Sequence, residues 1–228
     1  EANQFTNNVD QKQDKGPATF DSTHNVRANF IYRVPNFKMD GFTAKLVNGW
    51  WMSSIISAQS GYPFTPALAS DRALTGSTYR SLRPSFDASY DPNTVITRDL
   101  KHWFNATMFS LPPTGLYGNV GRDFLRGPGF MGVDFSLVKD TKVGFLGEAG
   151  SVQFRTEVFN LLNHPAFGLP NATVWQAPTG GGVTGGVAAV PAGGRIGSTG
   201  IATFPKYGEI SNTVSNARQI QFALKVLF

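Results

Sequence analysis

The chain of 228 residues has no cysteine. A disulfide framework, a thiolate metal site and a cysteine nucleophile are thereby excluded. Charge is also scarce: Asp, Glu, Lys and Arg make up 15% of the residues, against about 25% in an average soluble domain. Long apolar runs are missing. The two uncharged stretches, 46–70 and 171–194, are both broken by Gly, Pro, Ser and Asn, so neither reads as a membrane-crossing helix. The positive excess is only +5 and Lys and Arg form no run, so no nucleic-acid partner is expected. The chain starts at Glu1 without a basic-apolar leader, as expected of a processed chain or a piece of a longer one.

What is present is aromatic and glycine-rich: 13% Phe, Trp and Tyr, with 19 Phe and 25 Gly. Few charges, many aromatics and much Gly suit a β-protein whose outer surface does not all face water. The chain ends on ARQIQFALKVLF (217–228), where Ile220, Phe222, Leu224, Val226 and Phe228 alternate with Gln219, Gln221, Ala223, Lys225 and Leu227. The same two-residue period recurs in HNVRANFIYRV (24–34), WWMSSIISAQ (50–59), FMGVDFSLVK (130–139) and VQFRTEVFNLL (152–162). A period of 2 predicts strands rather than helices. Five strands are therefore expected at about 24–34, 50–59, 130–139, 152–162 and 218–228.

The connections alternate in length. Links 35–49 and 140–151 are short; links of about 60–129 and 163–217 are long and rich in Gly, Pro, Asn, Ser and Thr, as in TGGGVTGGVAAVPAGG (179–194). They read as loop. Loops of that length are out of place in a compact soluble domain. They are ordinary in outer-membrane barrels, where turns are short at the periplasm and long outside. With the long links outside, the fifth strand runs downward and the C-terminus falls in the periplasm.

The alternation then has a physical cause. Hydrocarbon leaves no backbone polar group a water partner, so a spanning sheet must close, with one face to lipid and the other to the lumen. The ionic residues Arg27, Arg33, Asp134, Arg155, Glu157 and Lys225 share the polar parity and are the lumen-facing candidates. Five strands are too few for a membrane barrel, which has eight or more. A C-terminal portion of a larger barrel is expected, with the polar residues 1–21 as the tail of another outer loop.

Motifs for bond chemistry are weak. His24, His102 and His164 have no Cys or carboxylate companions at ligand spacing. His24 and His164 are expected in hydrogen-bonded contacts near the outer strand ends. GLYGNVG (115–121) and TGGGVTGG (179–186) lack the Lys-Ser/Thr of a phosphate loop, and IGSTG (196–200) lacks the nucleophile-elbow spacing. The expectation is no enzyme, no metal and no cofactor. Arg155 and Glu157 lie on one face about 7 Å apart, where a cross-strand ion pair or a hydrogen-bonded ladder inside the lumen is expected, or else contact with the plug or a solute path. Trp50, Tyr32 and Phe228 fit a periplasmic aromatic girdle. Tyr62, Tyr79, Tyr90, Trp103, Tyr117 and Trp175 belong to the loops, where they either pack the loops or contact a solute.

The blocks FDSTHNVRANFIYRVP (20–35), LVNGWWMSSIISAQSGYPFTP (46–66), WFNATMFSLPP (103–113), GNVGRDFLRGPGFMGVDFSLVKD (118–140), VQFRTEVFNLLNHPAFGLPN (152–171) and YGEISNTVSNARQIQFALKVLF (207–228) together resemble the C-terminal barrel region of TonB-dependent outer-membrane receptors. The likeness is to the Oar-like group abundant in acidobacteria and covers about residues 17–228. It implies a barrel of about 22 strands with an N-terminal plug, and uptake powered through TonB. Plug, TonB box and regulatory-like domain are missing from these residues, so transport belongs to a longer parent. Implied partners are outer-membrane lipid and lipopolysaccharide, the TonB complex through the missing part, an unidentified solute, and the barrel-assembly machinery. That machinery would read Ile220, Phe222, Leu224, Val226 and Phe228 by strand addition. Two other readings remain at this point: a soluble or cell-surface β-sandwich binding carbohydrate through aromatic loops, and an autotransporter-type or adhesin barrel.

Overall fold

The structure is a computed structural model and describes residues 12–76, 82–144, 147, 150–177 and 193–228. Tyr79 and most of the glycine-rich stretch 179–194 lie outside the described residues. Eleven strands are present among the described residues: β1 (Asn25–Arg33), β2 (Trp50–Gln59), β3 (Pro63–Phe64), β4 (Ala67–Leu68), β5 (Ser85–Phe86), β6 (Phe109–Ser110), β7 (Leu125–Arg126), β8 (Phe130–Lys142), β9 (Ser151–Phe159), β10 (Thr173–Trp175) and β11 (Gln219–Leu227). One short helix, α1, spans Gly41–Val47. The chain divides into two compact units: Thr23–Ser60, Gly129–Ala166 and Thr213–Phe228 in the sheet unit, and Glu1–Ser22, Gly61–Pro128 and Phe167–Asn212 in the link unit.

The five long strands form one antiparallel sheet in the order β1-β2-β8-β9-β11, each beside its neighbour in sequence. These are the five segments whose apolar residues alternate. The register holds the alternation across the sheet. Ile31, Ser53, Ser136, Glu157 and Gln221 form one cross-strand row; Tyr32, Met52, Leu137, Thr156 and Phe222 form the next, on the opposite face. One face is consequently mainly polar, with Ile31 and Ile55 as exposed apolar residues on it, and the other mainly apolar, since paired residues share a face. β1 and β11 are the outer strands, and the sheet is open.

The ends differ from the sequence expectation in two places. β8 continues to Lys142, three residues past the expected end. β9 stops at Phe159, because Asn160 turns into the left-handed region at φ 51. Asn tolerates that conformation better than most residues, and its side chain fixes the turn: the amide donates to the carbonyls of His164 and Asn216, and its oxygen accepts from the His164 N–H.

The short link between β1 and β2 is not a plain turn; it carries α1. Asn48 ends that helix and closes the link, accepting from the Phe37 N–H at 2.7 Å and donating to the Phe37 carbonyl at 2.9 Å. Gly49 follows with φ +84, and a Cβ there would stand 2.2 Å from the Asp140 carbonyl oxygen. No other residue type fits that backbone beside that neighbour.

The long links also depart from the expectation of plain loop. Within the link unit Phe64, Leu68, Val95, Phe104, Phe109, Leu111, Val120, Leu125, Val174, Trp175 and Ile196 are buried in one cluster. Phe104 touches Phe64, Phe109 and Tyr207 at ring separations of 5.7, 6.2 and 6.0 Å. Both links build this core: β10, from the second, lies parallel to β4, from the first. Two buried ion contacts add to it. Arg83 bonds to Asp14, and Arg72 lies over the Trp175 ring at 6.0 Å, where burial lowers its pKa from the ordinary value.

Candidate functional site

The polar face of the sheet is the candidate site. All six lumen candidates lie on it: Arg27 and Arg33 on β1, Asp134 on β8, Arg155 and Glu157 on β9, Lys225 on β11. The structure joins only some of them. Arg155 bonds to Glu157 at 3.3 Å along its own strand rather than across the sheet. Asp134 accepts the Asn160 N–H at 2.9 Å and so anchors the turn that ends β9. Arg33 stands over the Trp51 ring at 5.7 Å.

A polar chain that the sequence reading missed crosses three strands. The Trp51 indole N–H donates to one Asp140 carboxylate oxygen at 2.8 Å, and the Gln153 amide donates to the other at 2.7 Å. Asp140 falls outside the expected strand end, so its parity was not counted. Continuing the alternation from Asp134 through Ser136 and Val138 would have found it.

At the end of the sheet from which both long links leave, the same face opens into a recess of about 360 Å³. Phe130, Phe159, Ser57, Asp134, Asn160, His164, Asn216, Gln219 and Gln221 line it. Its wall is rings, amides, hydroxyls and the Asp134 carboxylate, and no Lys or Arg contributes. Such a lining offers hydrogen bonds in several directions and an apolar surface, without a fixed positive charge. His164 takes part here, while the His24 N–H donates to the Ser60 hydroxyl and the His24 carbonyl accepts from the Ser60 N–H, and the His102 ring stacks on Tyr207 at 4.6 Å. Among the described residues no cluster of His, Cys, Asp and Glu could hold a metal ion.

The opposite face carries Val26, Phe30, Tyr32, Ile56, Met131, Phe154, Ile220, Phe222, Leu224 and Val226, all exposed. Phe154 and Phe222 stack at 6.2 Å, yet Phe222 remains 69% exposed. These side chains are not packed into a closed interior, and within the sheet unit no second sheet covers them among the described residues. The β-sandwich reading requires such a sheet. The five alternating residues of the terminal strand, Ile220, Phe222, Leu224, Val226 and Phe228, belong to this apolar side or follow directly on it.

Lys139 is the exception on the apolar face. It pairs with Trp50 and sits near the end of the sheet that bears the short links. Its ammonium bonds to the Asn48 carbonyl and lies 5.7 Å from the centre of the Trp50 ring.

The loop aromatics divide. Trp175 is 2% exposed. Tyr90, Trp103 and Tyr117 are half-buried against the core, and Trp103 donates its indole N–H to the Arg126 carbonyl. Tyr62 is exposed, and Tyr79 lies outside the described residues.

A family model described as an outer membrane beta barrel domain matches residues 1–221. No curated protein and no solved structure matched the chain. Among the described residues no helix is long and apolar enough to cross a membrane. A five-stranded sheet with one apolar, exposed face and one polar, hydrogen-bonded face is what such a domain requires. The chain belongs to the outer membrane β-barrel domain family and is a protein of the bacterial outer membrane.

Proposed function

We propose that the chain forms part of the wall of a TonB-dependent, Oar-like receptor, and that the parent takes up a solute too large or too scarce for passive pores. The observation that carries this reading is the polar face. Several of its charged and amide groups are held in place by one another, as in the Trp51-Asp140-Gln153 chain and the Arg155–Glu157 pair, and the face leads to a recess at the long-link end. A wall built this way guides a hydrated solute without binding it tightly at any one point. The resemblance of the six sequence blocks supplies the rest of the proposal: a plug inside the barrel and coupling to the inner-membrane proton gradient.

No bond is made or broken in this role; the work is binding and passage. Solute selection falls to the long links and the plug. β11, with its exposed Phe228, is the strand presented to the barrel-assembly machinery. Uptake by cells carrying and lacking the protein, across a panel of solutes, tests the reading. One solute should accumulate only in carrying cells, and a protonophore should stop its accumulation while leaving its binding to the cell surface. Accumulation unaffected by the protonophore overturns the energy-coupled role.

A further inference from the structure

The link between β1 and β2 carries more exposed apolar surface than a turn needs. Phe37, Met39, Phe42, Leu46 and Val47 are all exposed, Phe42 to 74% and Leu46 to 54%. Phe42 and Leu46 are four residues apart in α1, so they share a side of the helix. Ala44, on another side, is less exposed than either. Water is a poor environment for this cluster.

Two bonds tell where the link lies. The Trp50 indole N–H donates to the Leu46 carbonyl at 2.9 Å. The Lys139 ammonium bonds to the Asn48 carbonyl. Trp50 and Lys139 are paired residues of the apolar face. The C-terminal end of α1 is therefore tied to the lipid side of the wall and not to the polar side. Asn48 holds the rest of the link closed through Phe37. The apolar cluster is thus continuous with the face that meets lipid. Lys38 and Lys45 are exposed on the same link, with Asp40 as its one acidic residue.

We propose that link 35–49 is an interfacial anchor: α1 lies in the phospholipid leaflet on the periplasmic side, with Phe42 and Leu46 inserted. An amphipathic helix in the interface plane buries its apolar side at the headgroup boundary. Lys38 and Lys45 meet lipid phosphates, and Trp50 sits at headgroup depth as interfacial Trp does. The partner is the bilayer itself and not another protein. The inference rests on the family and on the two faces of the sheet, and it stands whether or not uptake is TonB-driven.

These 228 residues hold no cysteine, so once any cysteine elsewhere in the protein is replaced by serine, one introduced thiol carries one label. A polarity-sensitive fluorophore is placed at Phe42→Cys, Leu46→Cys, Phe222→Cys or Gln221→Cys in the whole outer-membrane protein. The protein is reconstituted in vesicles of phosphatidylethanolamine and phosphatidylglycerol. Labels at 42 and 46 should be quenched by nitroxide-bearing lipid and shielded from iodide, as at 222. Iodide quenching like that at 221 overturns the proposal, and so does shielding from both quenchers, which signals a protein neighbour. The 222 and 221 labels show that the barrel is intact, so a misplaced anchor is separable from a misfolded protein. The double variant Phe42→Gln/Leu46→Gln should bring trypsin to Lys45 at least tenfold faster in the same vesicles. Unchanged cleavage overturns the anchor.

Discussion

The two units are made from similar residues and use them in opposite ways. The link unit hides its aromatics: Phe104, Phe109 and Trp175 lie inside a cluster fed by both long links. The sheet unit displays its own: Phe30, Phe154 and Phe222 stand on an open face. Burial from water drives the first arrangement. The second is stable only where the surroundings are apolar, and the outer membrane supplies them. The same contrast holds for charge. In the link unit, Arg83 and Asp14 are buried together. In the sheet, ionic residues keep to one face, and the lone exception, Lys139, reaches a carbonyl at the sheet end. Solvent, and not composition, separates the two halves of this chain.

Substitutions can break or sharpen that comparison. The largest effect is expected from Phe104→Ala, which empties the middle of the link-unit core and should cost about 3–5 kcal/mol. Hydrogen exchange in the whole protein should show faster exchange at Val95, Phe109 and Val174, while the five-stranded sheet keeps its protection. Uniform loss across both units would mean that they do not behave as separate cores.

Next is a pair of arginines on adjacent residues of β8. Phe135→Arg on the apolar face should cost about 2–4 kcal/mol, as expected for Arg at the bilayer midplane. Ser136→Arg, on the polar face, should stay within about 0.5 kcal/mol. Denaturant unfolding in lipid vesicles gives both values. Equal costs would remove the lipid-and-lumen assignment of the two faces.

Smaller is Gly49→Ala, which puts a Cβ against the Asp140 carbonyl at positive φ. About 1–3 kcal/mol is expected from the strained backbone, read as a lower denaturation midpoint and a displaced Trp50 fluorescence. A neutral result would show that link 35–49 adjusts freely.

The smallest effect concerns Asp87 in the link unit. Its carboxylate accepts from the Ser89 N–H and hydroxyl and pairs with Arg195, which together hold its pKa below the ordinary carboxylate value. A depressed carboxyl stabilises the fold above its unfolded pKa, near 4. That contribution is lost as pH falls through the lower folded value. Carboxyl NMR should give a midpoint below that of an ordinary Asp, and Asp87→Asn should remove this part of the acid sensitivity. A midpoint at or above the ordinary value would contradict the bonding described.

The strands were legible because each carries its own signal. Ile220 to Val226 alternates without a break, and pairing with β9 needs nothing more than that alternation. The ions Arg27, Asp134 and Lys225 could be assigned to one face from parity alone. The core of the link unit was not legible, since its buried residues follow no period. Leu68 and Trp175 are partners across more than a hundred residues of Pro- and Gly-rich chain. The helix in link 35–49 was hidden for a different reason. Seven residues, without a side-chain cap, make too short a signal. It persists through bonds to Trp50 and Lys139, which lie outside it.

By itself, then, the amino-acid order determined the five long strands, the two faces, the alternation of long and short links and the membrane setting. Each follows from side chains pointing to opposite sides at every step, a rule that operates within one strand. Tertiary structure alone decided that the long links share a core, that Asp140 joins Trp51 to Gln153, and that the C-terminal end of α1 is tied to Trp50 and Lys139. Those outcomes depend on which distant groups meet, and a pairing energy between remote residues leaves no mark on local sequence.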